Sequence, residues 1–228
     1  MASTPERTAS SANHSLTLER GLRVLRVLSE HPDGLSVSAL AAEMETHRAG
    51  IYRLLGPLLE QRLVVRDADG RHTLGVGLIE LASRVRSRLQ QAARPELQRL
   101  ADEMEATTAL TIRDTDEALV LLVVEPRATD MHITYRAGLR HPLDVAASGI
   151  AILSGSGERP AVTDARMRGW ATSSGELLRG TSGVGAPIRT GEGDAQAAIS
   201  AVWLNQRDEV VAGHQVMAAA DAIAAAIG

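Results

Sequence analysis

Two α+β domains joined by a helix are the architecture this 228-residue chain predicts. Three observations carry it. The first 75 residues hold three stretches of helical apolar periodicity closed by a hairpin signal. A further periodic stretch, over residues 76–92, reads as a linker helix. From residue 93 to 228, β-rich runs interleave with helices without regular alternation, which favours an α+β domain with a mostly antiparallel sheet. The length suits two modest domains, each with its own core. Residues 1–14, rich in Ser, Thr and Ala and lacking a hydrophobic stretch, read as a flexible tail and not as a secretory signal.

Within residues 15–75, apolar side chains at Leu18, Leu22, Leu25 and Leu28, broadened by Val24 and Val27, predict the first helix. His31-Pro32-Asp33-Gly34 ends it with turn chemistry. Ser36 caps a second helix through Val37, Leu40, Ala41 and Met44. Ile51, Leu54, Leu55, Leu58 and Leu59 give a third. Pro57 inside it removes a backbone bond, so a kink or early loosening is expected there. Strand-like pieces Leu63–Arg66 and Arg71–Leu74 flank Ala68-Asp69-Gly70, a hairpin turn. Three helices and a hairpin in about 60 residues make a winged helix-turn-helix.

The linker helix carries Leu78, Leu81, Ala82, Val85 and Leu89, and a break at Arg94-Pro95 is expected to start another helix over Glu96–Glu105. Ala109–Arg113 and Ala118–Glu125 read as strands, and His132–Tyr135 as a third. Val184–Arg189 and Gln196–Leu204 pair about the turn at 191–194, and Val210–Ile227 is a closing Ala-rich helix.

Composition narrows the function classes. No run of about 18 apolar residues suggests a membrane span. The absence of Cys excludes disulfides and thiolate metal sites and fits a cytoplasmic location. The His residues are scattered, so no metal site is expected; no dinucleotide fingerprint, P-loop or nucleophile elbow occurs, and no cofactor or catalytic residue is expected. Every basic side chain is Arg. Residues 1–99 hold 14 Arg against 11 acids and residues 100–228 hold 10 against 17, so a front end of +3 precedes a remainder of −7. A mildly basic front suits contact with a polyanion.

The third helix is the first candidate site. With Ile51, Leu54 and Leu55 inward, His47, Arg48, Gly50, Tyr52 and Arg53 lie near the opposite face, where a recognition helix approaches base edges of double-stranded DNA. Arg48 could donate two hydrogen bonds to a guanine, while Tyr52 and Arg53 could hold phosphates or read a neighbouring base. Ser36 joins this set at the second helix start, and Arg66 and Arg71 flank the wing tip, within reach of a backbone or minor groove.

These residues resemble the IclR family of transcriptional regulators over nearly the whole chain. Ser15-Leu16 through Ala39-Leu40-Ala41, then Ile51-Tyr52-Arg53-Leu54-Leu55, look like its helix-turn-helix, and Gly70-Arg71-His72-Thr73-Leu74-Gly75 its wing. His141-Pro142-Leu143 through Ala147-Ser148-Gly149-Ile150-Ala151-Ile152-Leu153, and later Gly169-Trp170-Ala171 with Ala186-Pro187-Ile188, are similar to its effector domain. The chain departs from the pattern at Glu45, where the family has Gly, at Gly50, where it has Thr or Ser, and in a shortened stretch between Ser154 and Arg168 expected to have lost helices. The resemblance implies a GAF-like second domain and a homodimeric or tetrameric repressor or activator. It also implies an effector pocket lined by Ala147, Ser148 and Gly149 at one helix start, with Ser173, Ser182, Gly183 and Ser200 across the sheet. A small carboxylate or an amino-acid-pathway metabolite is the implied effector. A ligand-insensitive regulator whose second domain only oligomerises stays open as an alternative, as does, further off, an enzyme using that cavity.

Overall fold

Residues 15–83, 88–128, 133, 136–156, 158–191, 195–204 and 207–228 are described by the computed structural model of the chain. The chain divides into two units, Met1–Val85 and Arg86–Gly228. In the first, α1 (Leu16–Glu30) starts at Ser15, whose Oγ accepts the Leu18 N–H at 3.4 Å. Likewise α2 (Val37–Glu43) starts at Ser36, whose Oγ accepts the Ala39 N–H at 3.2 Å. The α2 end is closed by Thr46 N–H to the Ala41 carbonyl and Glu45 N–H to that of Ala42, with Glu45 at φ 50°. That is the Schellman stop, with a glutamate in the left-handed place usually given to glycine. α3 (Arg48–Glu60) stops in the same way, with Arg62 at φ 56° and Leu63 N–H bonded to the Leu58 carbonyl.

Val24, Leu28, Leu40, Ile51, Leu55 and Val64 form the dry centre of this unit. Burial here differs from the expected stripe. Leu18 and Leu22 are 63% and 53% exposed, because α1 extends beyond the small core and only its Val24–Leu28 segment reaches α2 and α3. Nor does α3 loosen at Pro57. It runs on to Glu60, with Leu58 and Leu59 packed against the core and Gln61 N–H on the Pro57 carbonyl.

β1 (Val64–Arg66) pairs antiparallel with β2 (His72–Leu74), Val64 opposite Leu74 and Arg66 opposite His72. The Asp67 carboxylate accepts the N–H groups of Asp69 and Arg71 at 2.9 and 2.8 Å, and Gly70 turns at φ 79°. Leu35 bridges to His72, tying the wing root to the segment before α2. α4 (Gly77–Ser83) then leaves against the end of α3. A Cβ at Gly75 would stand 2.2 Å from the Arg62 carbonyl oxygen, and one at Gly77 would stand 2.6 Å from that of Gln61. Arg62 and Glu80 close the junction with an ion pair at 3.0 Å. The expected tail, 1–14, and residues 84–87 of the expected linker lie outside the described residues.

The second unit opens with α5 (Arg88–Met104), which passes through Pro95 without the expected break. Ala93 on one side of Pro95 and Leu97, Leu100, Ala101 and Met104 on the other are all buried, so one apolar face outweighs one missing backbone bond. Six antiparallel strands follow in the order β5-β4-β3-β8-β7-β6, from β3 (Thr107–Asp114), β4 (Glu117–Val124), β5 (Arg140–Pro142), β6 (Ala171–Ser174), β7 (Ser182–Ile188) and β8 (Ala197–Trp203). The closing helix is α8 (Glu209–Ile227), capped by the Asp208 carboxylate.

Alternation along β7 and β8 assigns the two faces. Val184, Ala186, Ile199 and Ala201 meet α5 and α8, whereas Ala198 meets α6 (Ala147–Leu153) and α7 (Pro160–Arg168). Helices on both faces of an antiparallel sheet give the GAF-like α+β plan. Close packing is enforced by glycines: a Cβ at Gly185 would meet Ala147 backbone at 2.7 Å, and one at Gly213 the Trp170 ring at 2.3 Å.

Two expectations are corrected. The stretch between Ser154 and Arg168 retains a helix, α7, held by buried Val162 and Ala165 and stopped at Gly169 with φ 85°. α8 is long and apolar enough to cross a membrane by composition, yet its Ala212, Val216, Ala219, Ala220 and Ile223 face is buried in the core. The strand expected over His132–Tyr135 lies outside the described residues except for Ile133, whose carbonyl accepts the Thr107 hydroxyl at 2.8 Å.

Candidate nucleic-acid interface and ligand pocket

Burial of Ile51, Leu54 and Leu55 turns the opposite face of α3 to solvent. His47 at the N-cap, Arg48, Tyr52 and Arg53 are all exposed, Tyr52 by 63%. Among the described residues, the guanidinium groups of Arg48 and Arg53 have no ion-pair or hydrogen-bond partner. Gly50 is half-buried beside Thr46. Ala49, which the sequence reading passed over, is exposed on the same first turn; projecting the helix as a wheel would have found it. Ser36 is exposed, and its oxygen is engaged as the α2 cap. α2 and α3 pack through Leu40, Ala41 and Ile51, so these residues share one small scaffold.

The two wing arginines differ. Arg71 Nη1 donates to the Gly34 carbonyl at 3.0 Å, which spends part of its guanidinium on fastening the wing to the turn after α1. The Arg66 guanidinium lies along the wing tip, its Nη2 3.1 Å from where a Gly70 Cβ would be. Behind them His72 is buried, its Nδ1 without a partner, and burial first of all holds its imidazole pKa below the usual value. Nearby Arg66 adds to that lowering, while a Leu35 backbone bond and Asp67 oppose it.

Four of the seven pocket residues expected from the sequence meet around one hollow in the second unit. Ala147 and Ser148 at the start of α6, Ser173 on β6 and Ser200 on β8 line it. The segment between β6 and β7 covers it with Gly175, Glu176, Leu177, Leu178 and Thr181. That cover was missed, because nothing in a polar loop sequence announces what it folds over. Gly149, Ser182 and Gly183 lie elsewhere. A Cβ at Gly149 would stand 2.2 Å from the Leu143 carbonyl oxygen, so this glycine serves helix packing. Gly183 pairs with Ser173 and Ser182 with Ser174 across the β6–β7 ladder. Among the described residues, the hydroxyls of Ser148, Ser173 and Ser200 have no hydrogen-bond partner, and Ser148 and Ser200 are each only 5% exposed. The cavity measures about 20 Å³, room for one water.

A larger apolar groove, about 370 Å³, runs between α1 and α3 in the first unit, lined by Leu18, Gly21, Leu22, Leu25, Leu54, Pro57 and Leu58 among others. Among the described residues, no group of three or more His, Asp or Glu is placed to hold a metal ion.

Comparison with known proteins agrees with this arrangement. The IclR helix-turn-helix domain matches residues 17–68 and the bacterial transcriptional regulator IclR C-terminal domain matches residues 82–161. The HTH-type transcriptional regulator KipR of Bacillus subtilis is 26% identical over 226 residues, covering 86% of this chain and 88% of its own. The solved IclR transcriptional regulator of Alicyclobacillus acidocaldarius superposes with a TM-score of 0.81 at 23% identity, covering 93% of this chain and 98% of that one. An IclR homologue of Microbacterium hydrocarbonoxydans, solved in complex with 4-hydroxybenzoate, gives 0.80 at 22% identity over 92% of this chain and 98% of its own. At such identities these structures speak for the fold.

Proposed function

Because this chain belongs to the IclR family of transcriptional regulators, we propose that its DNA binding is sequence-specific and tuned by a small-molecule effector. The observation that carries the DNA half is the N-terminal turn of α3, where two unpartnered arginines and a tyrosine project from a helix fixed by a buried opposite face. Arg48 and Tyr52 read base edges, Arg53 and the wing arginines hold phosphates, and Ser36 and His47 bind the backbone at the helix starts.

The effector half is supported by the partnerless hydroxyls of Ser148, Ser173 and Ser200 around the second-unit hollow. These hydroxyls line one hollow and leave hydrogen-bonding capacity that a bound polar molecule can take up. At about 20 Å³ the hollow admits no metabolite as it stands, so binding requires the Gly175–Thr181 segment to move outward. The 4-hydroxybenzoate held by the Microbacterium homologue supports this reading by family likeness. The protein works in the cytoplasm as a regulator and not as an enzyme.

The assembly is a homodimer. Leu16, Leu18 and Leu22 on α1 and Ile79 and Leu81 on α4 are all more than half exposed, a density of large apolar groups that suits a partner surface. A two-fold dimer would present two α3 helices to paired half-sites.

Genome-wide mapping of bound sites tests the proposal, followed by titration of the recovered operator with metabolites of the neighbouring operons. One recurrent, paired half-site and one compound that shifts both operator affinity and melting temperature are expected. Binding with no sequence preference would refute specificity. Operator binding indifferent to every such compound would favour the ligand-insensitive alternative.

A further inference from the structure

Most glycines of the first unit have a reason inside the fold. Gly34 and Gly70 sit at φ 74° and 79°, and Gly75 and Gly77 have neighbouring backbone within 3 Å of an added Cβ. Gly56 precedes Pro57 within a helix, where a Cβ would crowd the proline ring. Two helical glycines have no such reason: Gly21, which lines the apolar groove on α1, and Gly50, which alone of the two lies on α3. Gly50 lies in the first turn of α3 with ordinary helical backbone, and a Cβ there would touch only the Thr46 hydroxyl oxygen, at 3.4 Å. Packing within the chain therefore tolerates alanine, which forms helix more readily than glycine. The protein forgoes that stability on the turn that carries the unpartnered Arg48.

We propose that Gly50 is a specificity determinant, kept free of a side chain so that the α3 backbone seats directly against the operator. Glycine serves that purpose wherever backbone must approach a ligand closely. In the major groove, a helix turn seated closer carries the neighbouring Arg48 deeper toward base edges. A Cβ at position 50 would hold the turn away and shorten the reach of Arg48. The inference rests on α3 being the recognition helix, as proposed above.

The test compares Gly50→Ala and Arg48→Ala in the full-length protein on its operator and on scrambled DNA, alongside hydrogen exchange of the α3 amides. Gly50→Ala should raise α3 protection by about two- to fivefold, the gain from replacing a helical glycine. Operator affinity should fall by about tenfold or more, the scale of one lost base contact, with a smaller loss on scrambled DNA. Better-protected α3 amides with unchanged or improved operator affinity would overturn the proposal. If Arg48→Ala also leaves operator binding unchanged, α3 is not the recognition helix and the wider reading fails with it. If only Arg48→Ala weakens binding, the recognition helix stands and the close-approach role of Gly50 falls.

Discussion

Replacing Arg48 and Arg71 by alanine, one at a time, separates a residue free to bind DNA from one already employed in the fold. Arg48 is exposed and unpartnered among the described residues, so Arg48→Ala should leave the stability of the first unit within about 0.5 kcal/mol of the parent. On the operator it should cost about 1–3 kcal/mol and relax preference at one base position. Arg71 is different, because its Nη1 holds the Gly34 carbonyl at 3.0 Å. A hydrogen bond from a charged donor contributes about 1.5–3 kcal/mol; partial exposure lowers this to about 1 kcal/mol. Amide exchange should therefore quicken about fivefold in the wing and in the turn around Gly34. Any phosphate contact made by the remaining guanidinium N–H groups would disappear too. That loss should flatten the log–log salt dependence of binding by about 0.9, with equal losses on operator and scrambled DNA. The assays are hydrogen exchange of the free protein and anisotropy titrations across a salt series. Unchanged exchange at Gly34 in Arg71→Ala would show that the bond carries no weight. Unchanged affinity and base preference in Arg48→Ala would refute the assignment of α3 as the reading element.

Three further outcomes follow from single positions. Glu45 sits at φ 50°, where a side chain costs about 1–2 kcal/mol and glycine forfeits about 0.5–1 in chain entropy, so Glu45→Gly should stabilise the first unit by roughly 0.5–1 kcal/mol in urea titration; a loss would contradict the strain. The imidazole of His72 has its pKa lowered by burial, so the unfolded chain binds its proton first: stability is intact above pH ~6.5 and falls as pH drops below it, by up to ~1.4 kcal/mol per pH unit until the folded histidine titrates. His72→Gln should flatten that part of the pH profile, and an unchanged slope would refute the role given to His72. In the second unit, Gly213→Ala drives a methyl to 2.3 Å from the Trp170 ring and should cost about 1–3 kcal/mol, read by indole fluorescence during denaturation; parent-like stability would mean that α8 shifts freely.

Much of the first unit was legible because local signals and packing agree there. Ser36 caps the helix it was expected to cap, and the Asp69-Gly70 pair turns the wing. Helix ends were harder to read, since Glu45, Arg62 and Glu105 take left-handed conformations without being glycine, and burial nearby imposes what composition does not advertise. Pro95 illustrates the opposite error: a strong local breaker is overridden by five buried side chains on one face of α5. α7 escaped notice because only Val162 and Ala165 are buried and its sequence shows no continuous apolar face, although Pro160 at its start and Gly169 past its end were usable signals. Edge strands β5 and β6, three and four residues long, are too short to show a period. Of the residues expected around a pocket, Ala147, Ser148, Ser173 and Ser200 converge on one hollow, but which loop covers them depends on contacts across the sheet that no local pattern encodes.

The junction of α3 and α4 also has a mechanical meaning. Gly75 and Gly77 lie so close to the Gln61 and Arg62 carbonyls that a side chain at either would push the end of α3 from the start of α4, and Glu80 adds an ion pair to Arg62 there. A substitution at Gly75 or Gly77 that pried the two apart would leave each helix intact and yet uncouple them, like a steering column cut below the wheel.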